Sequence, residues 1–142
     1  MNIVFVDGGN KMLREIAHKV VAFCLDELLP ESNKLEIEVK LKTIGGDAMG
    51  YCEMGDTRRQ YELEIDKNQT LRELVSTICH EMVHLKQYVL KEMDCTANDD
   101  GLLRWKDGVV PEGTAYSDLP WEIEATELQY KLADKIWEQN VI

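Results

Sequence analysis

The residues best suited to chemistry in this 142-residue chain form one short cluster, His80-Glu81-Met82-Val83-His84. On an α-helix, residues four apart lie one above the other, so both imidazoles can reach one ion. Two imidazole nitrogens at about 2.0–2.1 Å are typical of bound Zn²⁺. Glu81 would lie beside the remaining coordination position, where it could take a proton from water whose pKa the metal lowers to about 7. The spacing therefore predicts a zinc site with its own general base.

A catalytic zinc site needs a third protein ligand, and the segment Pro120-Trp121-Glu122-Ile123-Glu124-Ala125-Thr126-Glu127 offers three carboxylates. At about 100° per residue, Glu122 falls on the apolar stripe of this helix, whereas Glu124 and Glu127 do not. A carboxylate on an inward face is costly unless it is paired or bound to a metal. Glu122 is therefore the predicted third ligand and Glu124 the alternative. The competing interpretation is that Glu122 is a first-turn glutamate stabilised by the helix dipole.

Three amphipathic helices should position these side chains. Apolar residues recur at three- and four-residue intervals from Leu13 to Leu28, and this helix should end near Leu29-Pro30. The second helix should run from about Asn68–Thr70 to Lys91, with both histidines turned away from its apolar stripe. The third should begin near Leu119-Pro120-Trp121 and continue to about Glu138. The histidine face of the second helix thus needs a partner, which the third helix can supply.

Alternating apolar and polar residues predict three strands, Lys34–Lys42, Ala48–Glu53 and a last one through Tyr61, Leu63 and Ile65. Because short turns separate them, an antiparallel meander is expected. Residues 92–118 are rich in turn residues, and Leu102–Lys106 is the one strand predicted there. The fold class is therefore α+β: an N-terminal helix, a small antiparallel sheet, the histidine helix and a C-terminal helix.

Composition limits the classes of protein that remain. The chain has 27 Asp+Glu against 16 Lys+Arg, a net charge of −11, so no nucleic-acid partner is expected. Its length fits a single domain, residues 1–142, and no apolar run is long enough to span a membrane. Its start lacks the features of a signal peptide, and its four cysteines are too sparse for a disulfide framework. We expect a cytoplasmic protein with free thiols, in which Cys79 is not a ligand.

The chain resembles the zincin metallopeptidases of the gluzincin type, in a small single-domain form similar to phage-type and SprT-like domains. The likeness extends from about Leu35 to Leu132 and is closest in three segments: His80-Glu81-Met82-Val83-His84-Leu85-Lys86-Gln87-Tyr88, Trp105-Lys106-Asp107-Gly108, and Tyr116-Ser117-Asp118-Leu119-Pro120-Trp121-Glu122-Ile123-Glu124-Ala125. The resemblance implies a zincin-like fold, with Glu122 of the E-x-x-A motif as third zinc ligand. Several gluzincins continue E-x-x-A with Asp where this chain has Thr126, which leaves the support of the histidines unidentified.

Together these observations predict a zinc metallopeptidase with one Zn²⁺ per chain, held by His80, His84 and Glu122, and with Glu81 as general base. The expected partner is a peptide or protein substrate, which could add as a strand to the edge near Leu102–Lys106 or near Ala48–Glu53.

Several points stay open. Tyr88 and Tyr116 could each donate a hydrogen bond to a developing oxyanion, or could simply pack. The first alternative function is a non-catalytic, zinc-stabilised protein-binding domain of the same fold. The second is a SprT-like protease linked to DNA, which the negative charge disfavours.

Overall fold

The computed structural model describes residues 1–94 and 102–142. Its three α-helices in these ranges are α1 (Lys11–Leu28), α2 (Leu71–Val89) and α3 (Pro120–Glu138). All three lie close to the predicted bounds because local signals fix their ends. Asn10 caps α1, Thr70 and Glu73 form a capping box at α2, and a proline opens α3. None of the helices in the described ranges has the length and apolar character needed to cross a membrane.

The main sheet is mixed rather than antiparallel, so the predicted meander is wrong. Its strands are β1 (Ile3–Gly8), β2 (Glu36–Lys42), β3 (Gly50–Met54) and β4 (Gln60–Asp66), in the order β1-β2-β4-β3. β2 pairs in parallel with both β1 and β4, and only β3 and β4 form an antiparallel pair. The reason is that α1 returns the chain from β1 to a parallel neighbour, which places β2 in the interior. β3 is left as an edge strand.

The two faces of this sheet differ. The inward side chains of β2 are at most 2% exposed, and they pack against α1 and α2: Ile37, Val39 and Leu41. The opposite face carries cross-strand ion pairs such as Lys42–Glu64, together with the exposed side chains of Ile3, Phe5 and Tyr51. α2 contacts the sheet on one side and α3 on another. The histidine helix is therefore enclosed between the sheet and the helix that carries Glu122.

A second, smaller sheet follows α2. It consists of β5 (Met93–Asp94), β6 (Arg104–Trp105) and β7 (Gly108–Val109), with β6 in the middle. The strand predicted at Leu102–Lys106 is confirmed in shortened form, whereas β5 and β7 were not expected. Residues 95–101, part of the predicted irregular region, lie outside the described residues. Trp105 packs against Trp121 with ring centroids 6.4 Å apart, which joins this small sheet to the start of α3.

Candidate metal centre

Two helices bring three ligand-type side chains together. His80 and His84 come from successive turns of α2, and Glu122 comes from the first turn of α3. One ligand atom from each lies within 4.8 Å of the others, and the three could hold a metal ion. Nε2 of His80 is 3.2 Å from Oε1 of Glu122, and Nε2 of His84 is 2.9 Å from Oε2. These separations suit a shared ion, because the edge of a tetrahedron with bonds of about 2.0–2.1 Å is about 3.3 Å long.

The hydrogen bonds on the far side of each imidazole fix which nitrogen faces Glu122. Nδ1 of His80 lies 2.8 Å from Oε1 of Gln129, and Nδ1 of His84 lies 2.8 Å from Oε1 of Gln87. An amide oxygen only accepts, so each Nδ1 carries the proton. In a neutral imidazole the Nε2 lone pair then faces a carboxylate oxygen. Two acceptors at this distance need a cation between them, either a proton or a metal ion.

The hydrogen bonds between Glu122 and the two histidines also shift the pKa values of all three side chains. Burial lowers the pKa of His80 and His84, but their hydrogen bonds to Glu122 and to the two glutamines outweigh it, so both pKa values are raised. Burial raises the pKa of Glu122, but the hydrogen bonds from both histidines outweigh it and hold that pKa well below its usual range. The site is therefore built around an ionised carboxylate that attracts positive charge.

Glu81 lies beside this group and has no hydrogen-bonding partner within residues 1–94 and 102–142. It is 7% exposed and lines a cavity of about 570 Å³ together with His80, His84 and Tyr116. No other described residue donates a hydrogen bond to its carboxylate, and burial, its largest influence, raises its pKa. A buried carboxylate left without a donor next to a cation-seeking group is suited to accept a proton from something bound in the cavity.

Gly50 allows β3 to come this close to α2. A Cβ at Gly50 would lie 2.9 Å from Cγ2 of Thr77, 3.1 Å from the Glu64 carbonyl oxygen and 3.3 Å from Cγ of Glu81. Contacts of this kind would force β3 away from the helix. The glycine therefore brings the edge strand to the rim of the cavity that contains Glu81.

The two tyrosine candidates separate clearly. The Tyr116 hydroxyl donates a hydrogen bond of 2.8 Å to Oε1 of Glu122, while the residue as a whole is 73% exposed. Burial of the hydroxyl, together with this bond, raises the pKa of Tyr116. Tyr88 instead packs against Tyr61, with ring centroids 6.2 Å apart, and does not line the cavity. Of these two candidates, Tyr116 is the one placed to reach a molecule at the site.

The alternative carboxylate on α3 has other partners. Glu124 accepts hydrogen bonds from Lys86 at 2.8 Å and from Gln87 at 3.2 Å, and it is not part of the ligand group. Cys79 also points elsewhere, since its Sγ lies 3.9 Å from that of Cys24 between α1 and α2. The structure thus brings together His80, Glu81, His84 and Glu122 and leaves out the other candidates.

Sequence reasoning missed the two glutamines. It left the support of the histidines unidentified, because Thr126, which is exposed, stands where several gluzincins have Asp. A signal was available, because Gln87 follows His84 by three residues and Gln129 follows Glu122 by seven, so each pair shares a helix face.

Comparison of the chain with models of protein families, with curated proteins and with solved structures finds no match.

Proposed function

We propose that the protein is a zinc-dependent metallopeptidase that hydrolyses peptide bonds by means of a metal-activated water, with Glu81 as general base. One observation carries the proposal: Glu81 is buried, and no described residue donates a hydrogen bond to it, beside two imidazoles and a carboxylate that converge on one point. A purely structural metal site has no need of such a carboxylate. Hydrolysis requires one, because a proton must leave the attacking water and reach the leaving amine.

Zinc is the proposed ion because it is commonly bound by His and Glu in sites that leave a position open for water. When bound, it supplies Lewis-acid polarisation of a carbonyl and lowers the pKa of water. A set of two histidines and one carboxylate also suits Fe²⁺. The adjacent general base favours hydrolysis, and metal analysis decides the identity of the ion.

The chain's own residues have defined roles in the proposed reaction. Gln87 and Gln129 keep the Nε2 lone pairs of His84 and His80 turned toward the ion. Glu81 takes the proton from the attacking water and transfers it to the nitrogen of the leaving amine. Tyr116 would turn its hydroxyl from Glu122 to the substrate and donate a hydrogen bond to the carbonyl oxygen as negative charge develops there.

The substrate is proposed to bind as an extended strand along β3. Of the two strands that the sequence suggested for this role, β6 is paired on both sides, with β5 and with β7. β3 is an edge strand, and Gly50 and Tyr51 line the cavity with Glu81. A peptide paired with β3 would therefore run past the general base.

The first test measures zinc and iron per chain in wild type, Glu122→Ala and Glu124→Ala, each purified without added metal. We expect one zinc per wild-type chain, loss of the metal in Glu122→Ala, which removes a ligand, and a smaller loss of affinity in Glu124→Ala, which keeps all three ligands. Absence of metal after reconstitution at neutral pH would overturn the proposal.

The second test is a peptide-library digest with wild type and Glu81→Gln. Gln keeps the shape of Glu81 but cannot take a proton, so the variant should bind zinc normally while cleavage falls by at least about 10²-fold. Glu127→Gln, an exposed change on α3, is the control and should cleave as wild type. Cleavage that persists in Glu81→Gln contradicts the mechanism. A zinc-loaded wild type that cuts nothing and unfolds on chelation would favour the non-catalytic binding domain.

A further inference from the structure

Gln87 is completely buried, and all of its amide hydrogen-bonding groups are used. Its Nε2 donates to the Trp121 carbonyl oxygen at 3.0 Å and to Oε1 of Glu124 at 3.2 Å. A backbone carbonyl and a carboxylate can only accept, so these partners fix the NH₂ group toward α3. The amide oxygen must then face Nδ1 of His84, where it lies at 2.8 Å.

Glu124 is itself held in place. Lys86 donates to it at 2.8 Å and forms a second ion pair, also at 2.8 Å, with Glu92 just beyond α2. The side chain of Lys86 is 13% exposed, and those of Glu92 and Glu124 are 16% and 21% exposed, so water screens these pairs only in part. A continuous chain of contacts therefore runs from Glu92 through Lys86, Glu124 and Gln87 to His84.

The support of His80 is simpler. Gln129 is half-buried and, among the described residues, forms a hydrogen bond with His80 alone. Nothing comparable to Glu124 fixes its amide group. The two histidines are therefore held differently, His84 by a network and His80 by one contact.

We infer that Glu124 is a positioning residue of the metal centre, which acts through Gln87 to hold the His84 ring with Nε2 directed at the metal. It does not touch the ligand group itself. Glu122 and Glu124 both lie on the first turns of α3. The packing of α3 against α2 would therefore supply the ligand Glu122 and also orient the ligand His84. This inference rests on the metal site of the proposed function and is independent of whether the site cuts peptides.

The test is the zinc affinity of the metal-free protein, measured by competition with a chromophoric chelator. Glu124→Leu removes the acceptor for Gln87, and we expect binding to weaken by about tenfold or more. Glu124→Gln keeps an oxygen that can accept from Gln87, so its affinity should stay within about twofold of wild type. Glu127→Leu, an exposed change three residues along the same helix, is the control and should also stay within about twofold.

A double-mutant cycle separates positioning from general loosening of the fold. If Glu124 acts through Gln87, Gln87→Leu alone should weaken zinc binding, and Glu124→Leu added to it should cause no further loss. The visible absorption of the Co²⁺-loaded protein, which depends on ligand geometry, should change in Glu124→Leu and not in Glu127→Leu. Circular dichroism of each metal-free variant verifies that it is folded.

The outcomes are distinct. Wild type that binds no metal overturns the proposed function and this inference together. Wild type that binds zinc while Glu124→Leu binds equally well overturns this inference alone. Additive losses in the double mutant, or an equal loss in Glu127→Leu, also overturn it.

Discussion

The amide oxygen of Gln129 lies 2.8 Å from Nδ1 of His80, and it comes from the same helix that supplies Glu122. Seven residues separate Glu122 and Gln129, which is about two helical turns, so they share one face of α3. That face meets the histidine face of α2. The packing of α3 on α2 therefore brings the ligand Glu122 into the site and places Gln129 against the ligand His80. Metal binding should accordingly be coupled to this contact between the two helices.

The close approach of β3 to α2 gives the first prediction. Gly50→Ala places a Cβ 2.9 Å from Cγ2 of Thr77 and should destabilise the fold by about 1–3 kcal/mol. Because the clash displaces the strand and leaves the ligands in place, peptide cleavage should fall while zinc affinity stays near wild type. Urea unfolding, cleavage rates and zinc titration measure the three effects.

Two further variants sharpen this prediction. Gly45→Ala is the matched control, since a Cβ there meets no atom within 4 Å, and it should behave as wild type. Thr77→Ser removes the nearest methyl group, so adding it to Gly50→Ala should recover part of the lost stability and cleavage. If Gly50→Ala has unchanged stability and cleavage, the close approach of β3 to α2 at Gly50 is not important for either property.

Tyr116 gives the second prediction. Tyr116→Phe removes a hydroxyl that would stabilise the oxyanion, so kcat should fall by about 10²-fold while KM changes little. Zinc affinity should fall less than kcat, because the change removes a hydrogen bond to the ligand Glu122 but none of the three ligands. Tyr130→Phe, at a 60% exposed position on α3, is the control for loss of a surface hydroxyl. Equal cleavage by the two variants would remove Tyr116 from the reaction.

Local patterns were enough to predict the helices and the grouping of His80, His84 and Glu122. The reason is that each signal, such as the four-residue histidine spacing or the apolar stripe that includes Glu122, lies within a few turns of one helix. The partner and direction of a strand, by contrast, are not encoded in the residues of that strand alone. The run from Ile3 to Val6 is short and half exposed, and nothing within it indicates that it pairs in parallel with β2.

The support of His84 by Gln87 escaped prediction for a different reason. Gln87 would lie opposite the apolar stripe of α2, a position that ordinarily faces water, yet it is completely buried. Its burial depends on α3 covering that face, which is a tertiary contact. Polar residues that are buried because a second helix covers them are the ones that a helical wheel of a single helix assigns to the surface.

The third prediction concerns the pH dependence of stability in the metal-free protein. The pKa values of His80 and His84 are raised in the folded state, chiefly by Glu122 acting against burial. Raised histidine pKa values contribute stability that is complete below the unfolded value of about 6.5 and is lost as pH rises through the folded values. Urea midpoints with chelator present should therefore fall between pH 6 and pH 8. In more acidic solution the two glutamates also titrate: the pKa of Glu81 is raised and that of Glu122 is lowered, so their effects on stability oppose each other. The test is therefore confined to the range from pH 6 to pH 8.

Zinc should reverse this trend, because the ion binds neutral imidazoles and competes with their protons. The gain in urea midpoint on adding saturating zinc should accordingly be larger at pH 8 than at pH 6. His84→Gln should flatten the decline of the metal-free protein, since it removes one of the two raised histidines, whereas His18→Gln, at an exposed position on α1, should leave the decline unchanged. A metal-free midpoint that stays constant or rises from pH 6 to pH 8 would mean that Glu122 does not hold the histidines in their charged form. The assignment of Glu122 as the group that attracts positive charge to the centre would then be wrong.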